Sequence, residues 1–185
     1  MPRVKPDTYH AFLMDYASGT LPAALNLAGE LHTHLKPEAR DEVAVWEAVG
    51  GLLIELDEGQ PATAPSRVRR VVPGASPLTA RDVLSVRFDD IRWRRGLSGV
   101  RHAGMGVRGG TFMRLDAGQA VPAHGHSVLE ATVVLEGVLD VDCTSYEPGD
   151  IALGVPGLRH KPAAQGDHRC ICYVARAPRP FWRLS

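Results

Sequence analysis

The 185-residue sequence has few cysteines, few aromatic residues, no excess of charge of either sign and no long apolar run. Cys143, Cys170 and Cys172 are too few and too oddly numbered for a disulfide framework, so reduced thiols are expected. Lys plus Arg total 21 and Asp plus Glu total 21, so no net field draws the chain onto nucleic acid or an anionic membrane, and direct nucleic-acid binding is disfavoured. The longest apolar stretches, such as Val49 to Ile54, fall well short of the ~18 residues of a membrane-spanning helix. Met1 to Pro6 lead into Asp7 rather than into an apolar segment with a cleavage site, and a cytoplasmic protein is expected. What is present is a hydrophobic fraction of 44%, enough for a sizeable core and incompatible with disorder as the main state. Most of the 19 glycines lie in the second half, where, with several of the 14 prolines, they punctuate short segments as turns do.

The two halves differ in period. In the first, apolar residues recur every three or four positions, which predicts helices. Asp7 is a candidate cap for a helix bearing Tyr9, Phe12, Leu13 and Tyr16, closed by Gly19. Thr20 is a candidate cap for a second, with Pro22 in its first turn and a stripe of Leu25, Ala28, Leu31 and Leu35. A third is predicted from about Glu38 to Leu56, carrying Val43, Trp46, Leu53 and Ile54 and weakened by Gly50-Gly51 unless a close contact wants no side chain there. These segments bury little against one another, so Leu25, Leu31, Val43, Trp46 and Leu53 are expected to form an exposed stripe that docks on a partner or on a second copy. Residues 1–58 are assigned to this helical part and 59–83, polar and rich in Pro, Gly, Ser and Ala, to a linker. In 84–185 the period becomes two. Thr111 to Leu115, Ala131 to Leu135, Val138 to Cys143 and Arg169 to Val174 read as strands separated by glycine-containing turns, the pattern of an all-β sandwich or barrel.

Within that half lies Gly118-x5-His124-x-His126-x3-Glu130-x6-Gly137, followed by Gly149-x7-Gly157-x2-His160. His124 and His126, two apart on a strand, share a face, and Glu130 follows on the next strand. With His160 they make a three-imidazole, one-carboxylate set suited to one divalent transition metal and unlike an all-oxygen calcium site. Such a set closes a tetrahedral zinc site, or leaves two positions open on an octahedral metal. The two segments resemble both motifs of the cupin family, which implies a jelly-roll double-stranded β-barrel. In the second motif the usual proline sits one place late, at Pro156, and Ala164 stands where an asparagine is usual.

The resemblance extends over nearly the whole chain. Asp15-Tyr16-Ala17-Ser18-Gly19-Thr20-Leu21, Ile91-Arg92-Trp93-Arg94-Arg95, Gly149-Asp150-Ile151, His160-Lys161-Pro162 and Cys170-Ile171-Cys172 are similar to segments of the ChrR family of cupin-containing anti-sigma factors. The resemblance implies an α+β protein in two parts, a helical domain and an all-β cupin. In that family the helices sequester an extracytoplasmic-function sigma factor, and the cupin binds zinc and governs release under oxidative stress. It also implies that His124, His126, Glu130 and His160 are the metal ligands and that Cys170 and Cys172 are candidate redox thiols. Because neighbours two apart on a strand sit ~6.5 to 7 Å apart at Cα, both thiols are expected reduced. The family also holds zinc in its helices through an early histidine and a His-x3-Cys-x2-Cys run. Here His32 remains, but Lys36 and Ala39 replace the cysteines and Asp7 falls at the early histidine, so no zinc is expected in the helices. His10, His32, His34, His102 and His168 read as surface or structural.

Two functional classes remain open on the residues alone. One is a regulator that pairs a sigma-factor-binding helical module with a metal-binding cupin that senses a small molecule or an oxidant. The other is a metal-dependent cupin enzyme such as a dioxygenase, although no acid, base or nucleophile stands out beside the ligands.

Overall fold

Helices form where the apolar residues recur at helical spacing. A computed structural model of the chain describes residues 6–56, 78–96 and 98–177. Helix α1 (Pro6–Ala17) turns Phe12 and Leu13 inward, α2 (Ala23–Leu35) buries Leu25, Leu27, Ala28 and Leu31, and α3 (Pro37–Leu56) buries Ala39 and Val43. The expected caps differ in detail. Asp7 lies inside the first turn of α1, where its charge meets the positive helix end. Pro22, rather than Thr20, precedes α2, with no side-chain cap. The Thr20 hydroxyl donates instead to the Asp15 carbonyl at 3.1 Å, closing the end of α1 beside Gly19. Gly50 and Gly51 meet no close neighbour among the described residues, so packing does not explain them.

Of the expected linker, residues 59–77 lie outside the described residues. Its last part is structured: α4 (Ala80–Leu84) begins in a reciprocal cap, with the Thr79 hydroxyl accepting from the Asp82 N–H and the Asp82 carboxylate accepting from the Thr79 N–H. A 3₁₀ turn at Phe88–Asp90 then leads to the strands.

The strands are β1 (Arg94–Arg95), β2 (Arg101–Gly104), β3 (Gly110–Leu115), β4 (His124–Gly125), β5 (Glu130–Glu136), β6 (Val138–Val141), β7 (Thr144–Tyr146), β8 (Ile151–Gly154), β9 (Arg159–His160), β10 (Pro162–Gln165) and β11 (Cys170–Arg176). They form antiparallel sheets in the orders β1-β2-β3-β11-β5-β8, β10-β6-β7 and β4-β9. Val100, Met113, Leu115, Val134, Leu139, Cys170, Cys172 and Val174 pack together as the barrel interior. The β6 strand ends at Val141 rather than at Cys143. Asp142 and Cys143, with φ of 51° and 66°, form the two-residue turn into β7, a left-handed pair whose twist matches the hairpin.

The helical part and the strands are not packed apart from each other but share one buried cluster. Along β11, Cys170, Cys172 and Val174 face the barrel while Tyr173 and Ala175 face the helices, and on β5 Val134 faces in while Ala131 and Val133 face out. Strands buried on both faces read as unbroken apolar runs, as these do. The outer face of the six-stranded sheet is covered by α2, whose Leu25, Leu27 and Leu31 share one cluster with Val133, Ile151 and Tyr173. Leu25 and Leu31 are therefore core, not exposed stripe, and Val43 is buried as well; of the five named residues only Leu53 is exposed, with Trp46 half-buried.

Polar contacts fasten the same junction. The Tyr173 hydroxyl donates to the Ala24 carbonyl at 3.1 Å. The buried His32 ring lies between the Gly149 carbonyl, 2.7 Å from Nδ1, and the Tyr9 hydroxyl, 2.9 Å from Nε2. Lys36 reaches Asp150 at 2.8 Å. Gly149, at φ +90°, passes so near α2 that a Cβ would lie 2.7 Å from that of Leu35. Thus His32 and Lys36, two of the positions at which the resemblance would place helical zinc ligands, bind the turn before β8 instead, and Ala39 is packed in the core.

Candidate metal centre

The strand ends at one mouth of the barrel gather four side chains. Pairing of β4 with β9 sets His124 opposite His160, a bridge from His126 to Pro156 brings the second histidine to the same place, and Glu130 opens β5 facing inward. Nε2 of His160 is 2.7 Å from Nε2 of His126 and 3.2 Å from Nε2 of His124, and the Glu130 Oε1 is 3.5 Å from His126. The four ligand atoms lie within 4.8 Å of one another. In a shell with bonds of ~2.1 Å, ligand atoms are ~3 to ~4 Å apart, so these residues can hold a metal ion.

Several features prepare them for one. Burial pushes the His126 and His160 imidazoles below the usual histidine value, which keeps their lone pairs free near neutral pH. His124 Nδ1 lies 2.9 Å from the Pro122 carbonyl; a proton there leaves Nε2 to face the site. The other Glu130 oxygen accepts from Arg176 Nε at 2.5 Å. Gly154 on β8 makes room for the His126 ring, since a Cβ there would lie 2.8 Å from it. Three imidazole nitrogens aimed at one another in this way are poorly satisfied by each other alone, and a shared cation resolves the conflict.

The four residues singled out from spacing therefore come together. Arg176 did not emerge from the sequence. Its signal is its place two positions beyond Val174, on the barrel-facing side of β11, where a charged residue closes an apolar run at the barrel mouth. His102, expected to be a surface or structural residue, lines the cavity beside the site, its imidazole held down by burial and by Arg176. Cys170 and Cys172 lie deeper in the barrel, fully buried, with their sulfurs 3.6 Å apart and unbridged. The contact with Cys170 and then burial push the Cys172 thiol well up, away from the reactive thiolate.

Comparison with known proteins agrees with this arrangement. Residues 81–180 match the ChrR cupin-like domain family. The anti-sigma-E factor ChrR of Cereibacter sphaeroides is 36% identical over 184 residues, covering 89% of this chain and 86% of that one. This chain belongs to the ChrR family. The crystal structure of Rhodobacter sphaeroides SigE in complex with the anti-sigma ChrR is similar to it with a TM-score of 0.73 at 33% identity, covering 91% of this chain and 96% of that one. The match spans both parts, so the helical part and the ChrR-type cupin share the family architecture even though the helical cysteines have gone. Among the described residues no helix is long and apolar enough to cross a membrane.

Proposed function

We propose that this ChrR-family protein is an anti-sigma factor that sequesters an extracytoplasmic-function sigma factor in the cytoplasm, with a zinc-loaded cupin that responds to oxidative stress or a small molecule. The observation that carries the reading is an uncovered apolar surface on the helical part. In the last two turns of α3, Val49, Leu52, Leu53 and Ile54 are exposed, Ile54 by 71%, and Met14 of α1 lies in the same groove. No described residue covers it. Exposed aliphatic side chains grouped on one helix mark a surface made for a partner. Relatives that bind a sigma factor share the fold over nearly the whole chain, which identifies the partner class.

Zinc is favoured over harder ions by the donor set of three imidazoles and one carboxylate. When bound, the metal supplies a Lewis-acid centre at the barrel mouth. The chain's own part is to orient His124 through Pro122 and Glu130 through Arg176, and to hold the helices against the Gly149-Asp150 turn that leads into β8, whose last residue, Gly154, lies at the His126 ring.

The test is co-elution of the chain with extracytoplasmic-function sigma factors of the same organism. One is expected to form a stable complex with the wild-type chain, and Leu53→Glu with Ile54→Glu is expected to weaken it by about 100-fold while the chain stays folded, since two buried anchors of ~1–3 kcal/mol each are lost. Co-elution unchanged by both substitutions would remove this surface from the interface.

A further inference from the structure

A cavity of about 280 Å³ runs from the metal ligands into the barrel. Its inner part is walled by Val100, Met113, Leu139 and Val174, while His124, Glu130 and His160 stand at one end together with Arg176 and Thr132. Besides Ser98, His102 and Thr111 elsewhere in the lining, the polar groups gather at the metal-ligand end of a chamber with an apolar inner wall. At ~30 Å³ per water in the liquid, that volume amounts to about nine waters and suits a molecule of fewer than about ten non-hydrogen atoms.

Charge and hydrogen bonding then narrow the chemistry. Glu130 is the one carboxylate and Arg176 the one guanidinium in the lining. With a divalent ion bound, that end holds two positive charges in excess, which a cation would worsen and a neutral molecule would leave uncompensated. The Thr132 hydroxyl is on the same face of β5 as Glu130, its residue is only 6% exposed, and no described group hydrogen-bonds to it. The Thr111 hydroxyl, by contrast, is already donated to the Ala103 carbonyl at 3.0 Å. A hydroxyl that opens into the cavity beside a positive centre, with no described partner of its own, can donate to an anionic acceptor bound there. The inner wall offers no second cation, so a molecule with an anionic group at both ends would leave one buried and unpaired.

We infer that the barrel cavity is a binding site for a small organic monocarboxylate, its carboxylate recognised by the metal-bearing end with Arg176 and Thr132, and its short hydrocarbon tail by Val100, Met113, Leu139 and Val174. The inference rests on the reading that the cupin carries a divalent metal. It deepens that reading by naming the class of molecule the regulator senses.

The test uses the full chain loaded with Co(II), whose visible absorption reports changes around the metal, titrated with butyrate and with its neutral isostere butyramide. Butyrate is expected to shift the spectrum saturably and butyramide to bind at least about 30-fold more weakly, the difference between a charge-assisted and a neutral contact. Thr132→Val, which keeps the shape, should weaken butyrate about 10- to 100-fold with cobalt content unchanged, as loss of one hydrogen bond to a charged group does. Arg176→Gln should weaken it further, with cobalt content checked because Arg176 also holds Glu130. Equal binding of butyrate and butyramide, no saturable spectral change, or an undiminished Thr132→Val would overturn the inference. Co-elution of the same cobalt-loaded chain with a sigma factor separates the two ideas: an intact complex without a butyrate response refutes the ligand class alone, whereas failure to take up cobalt refutes the metal-loaded cupin itself.

Discussion

Single side chains carry the metal chemistry and the junction between helices and barrel. One equivalent of metal per chain is expected, and His124→Ala combined with His160→Ala should abolish it, because the remaining His126 and Glu130 supply only half of a closed shell. Elemental analysis giving two equivalents per chain would point to a second site outside the cupin. His32 makes a different prediction. Burial lowers its pKa from 6.5, while burial raises that of its partner Tyr9 to about 12. In the folded chain His32 is harder to protonate than in the unfolded one, so its contribution to stability is present above pH ~6.5 and is lost as pH falls through the folded value. His32→Ala, which deprives the Gly149 carbonyl and the Tyr9 hydroxyl of their partner, should cost about 2–4 kcal/mol at pH 8 and flatten the loss of stability on the acid side. Denaturant melts across pH check both. The metal ligands are legible in the sequence because their spacing is local and chemical. The His32 contact is not, because its partner is a backbone carbonyl more than a hundred positions away, to which no side-chain pattern points. Arg176 is hidden for a related reason: only the pairing of β11 with β5 sets it opposite Glu130.

At the scale of elements, α2 is the piece that makes one molecule of two patterns. Its period is that of an ordinary amphipathic helix, and the sequence alone leaves open whether its stripe meets other helices, a partner or the barrel. The answer lies in β5 and β11, whose apolar runs are too continuous for strands with a wet outer face. Reading those runs as double-sided burial would have called for a cover. Removal of residues 1 to about 75 is accordingly not expected to leave a well-behaved barrel. Deletion would uncover Val133, Ile151, Leu153 and Tyr173, a contiguous apolar face on the sheet. Sedimentation of the truncated chain is expected to show aggregates or a self-associated species; a monodisperse, metal-binding monomer would contradict a shared core. The end of α3 differs in kind from α2. Its Leu52, Leu53 and Ile54 stay uncovered among the described residues, so the exposed apolar stripe is narrower and later in the chain than the sequence suggests.

For the whole molecule, the arrangement places an exposed apolar surface on the helices and a candidate metal site at the barrel cavity, joined through α2 and the turn before β8. Coupling between two sites requires that a partner or ligand favour one arrangement of the elements between them. The turn before β8 meets His32 and Lys36, and the far end of β8, at Gly154, meets the His126 ring. Loss of helical thiols need not end the regulatory role on this arrangement, since packing against the sheet and the His32 and Lys36 contacts anchor the helices without a metal. The most direct measurement is transcription by core RNA polymerase with an extracytoplasmic-function sigma factor that co-elutes with the chain, titrated with the zinc-loaded chain. Near-complete inhibition at one chain per sigma factor, relieved by Leu53→Glu with Ile54→Glu, is the predicted result. Undiminished transcription in the presence of excess folded, metal-loaded chain would contradict the anti-sigma function.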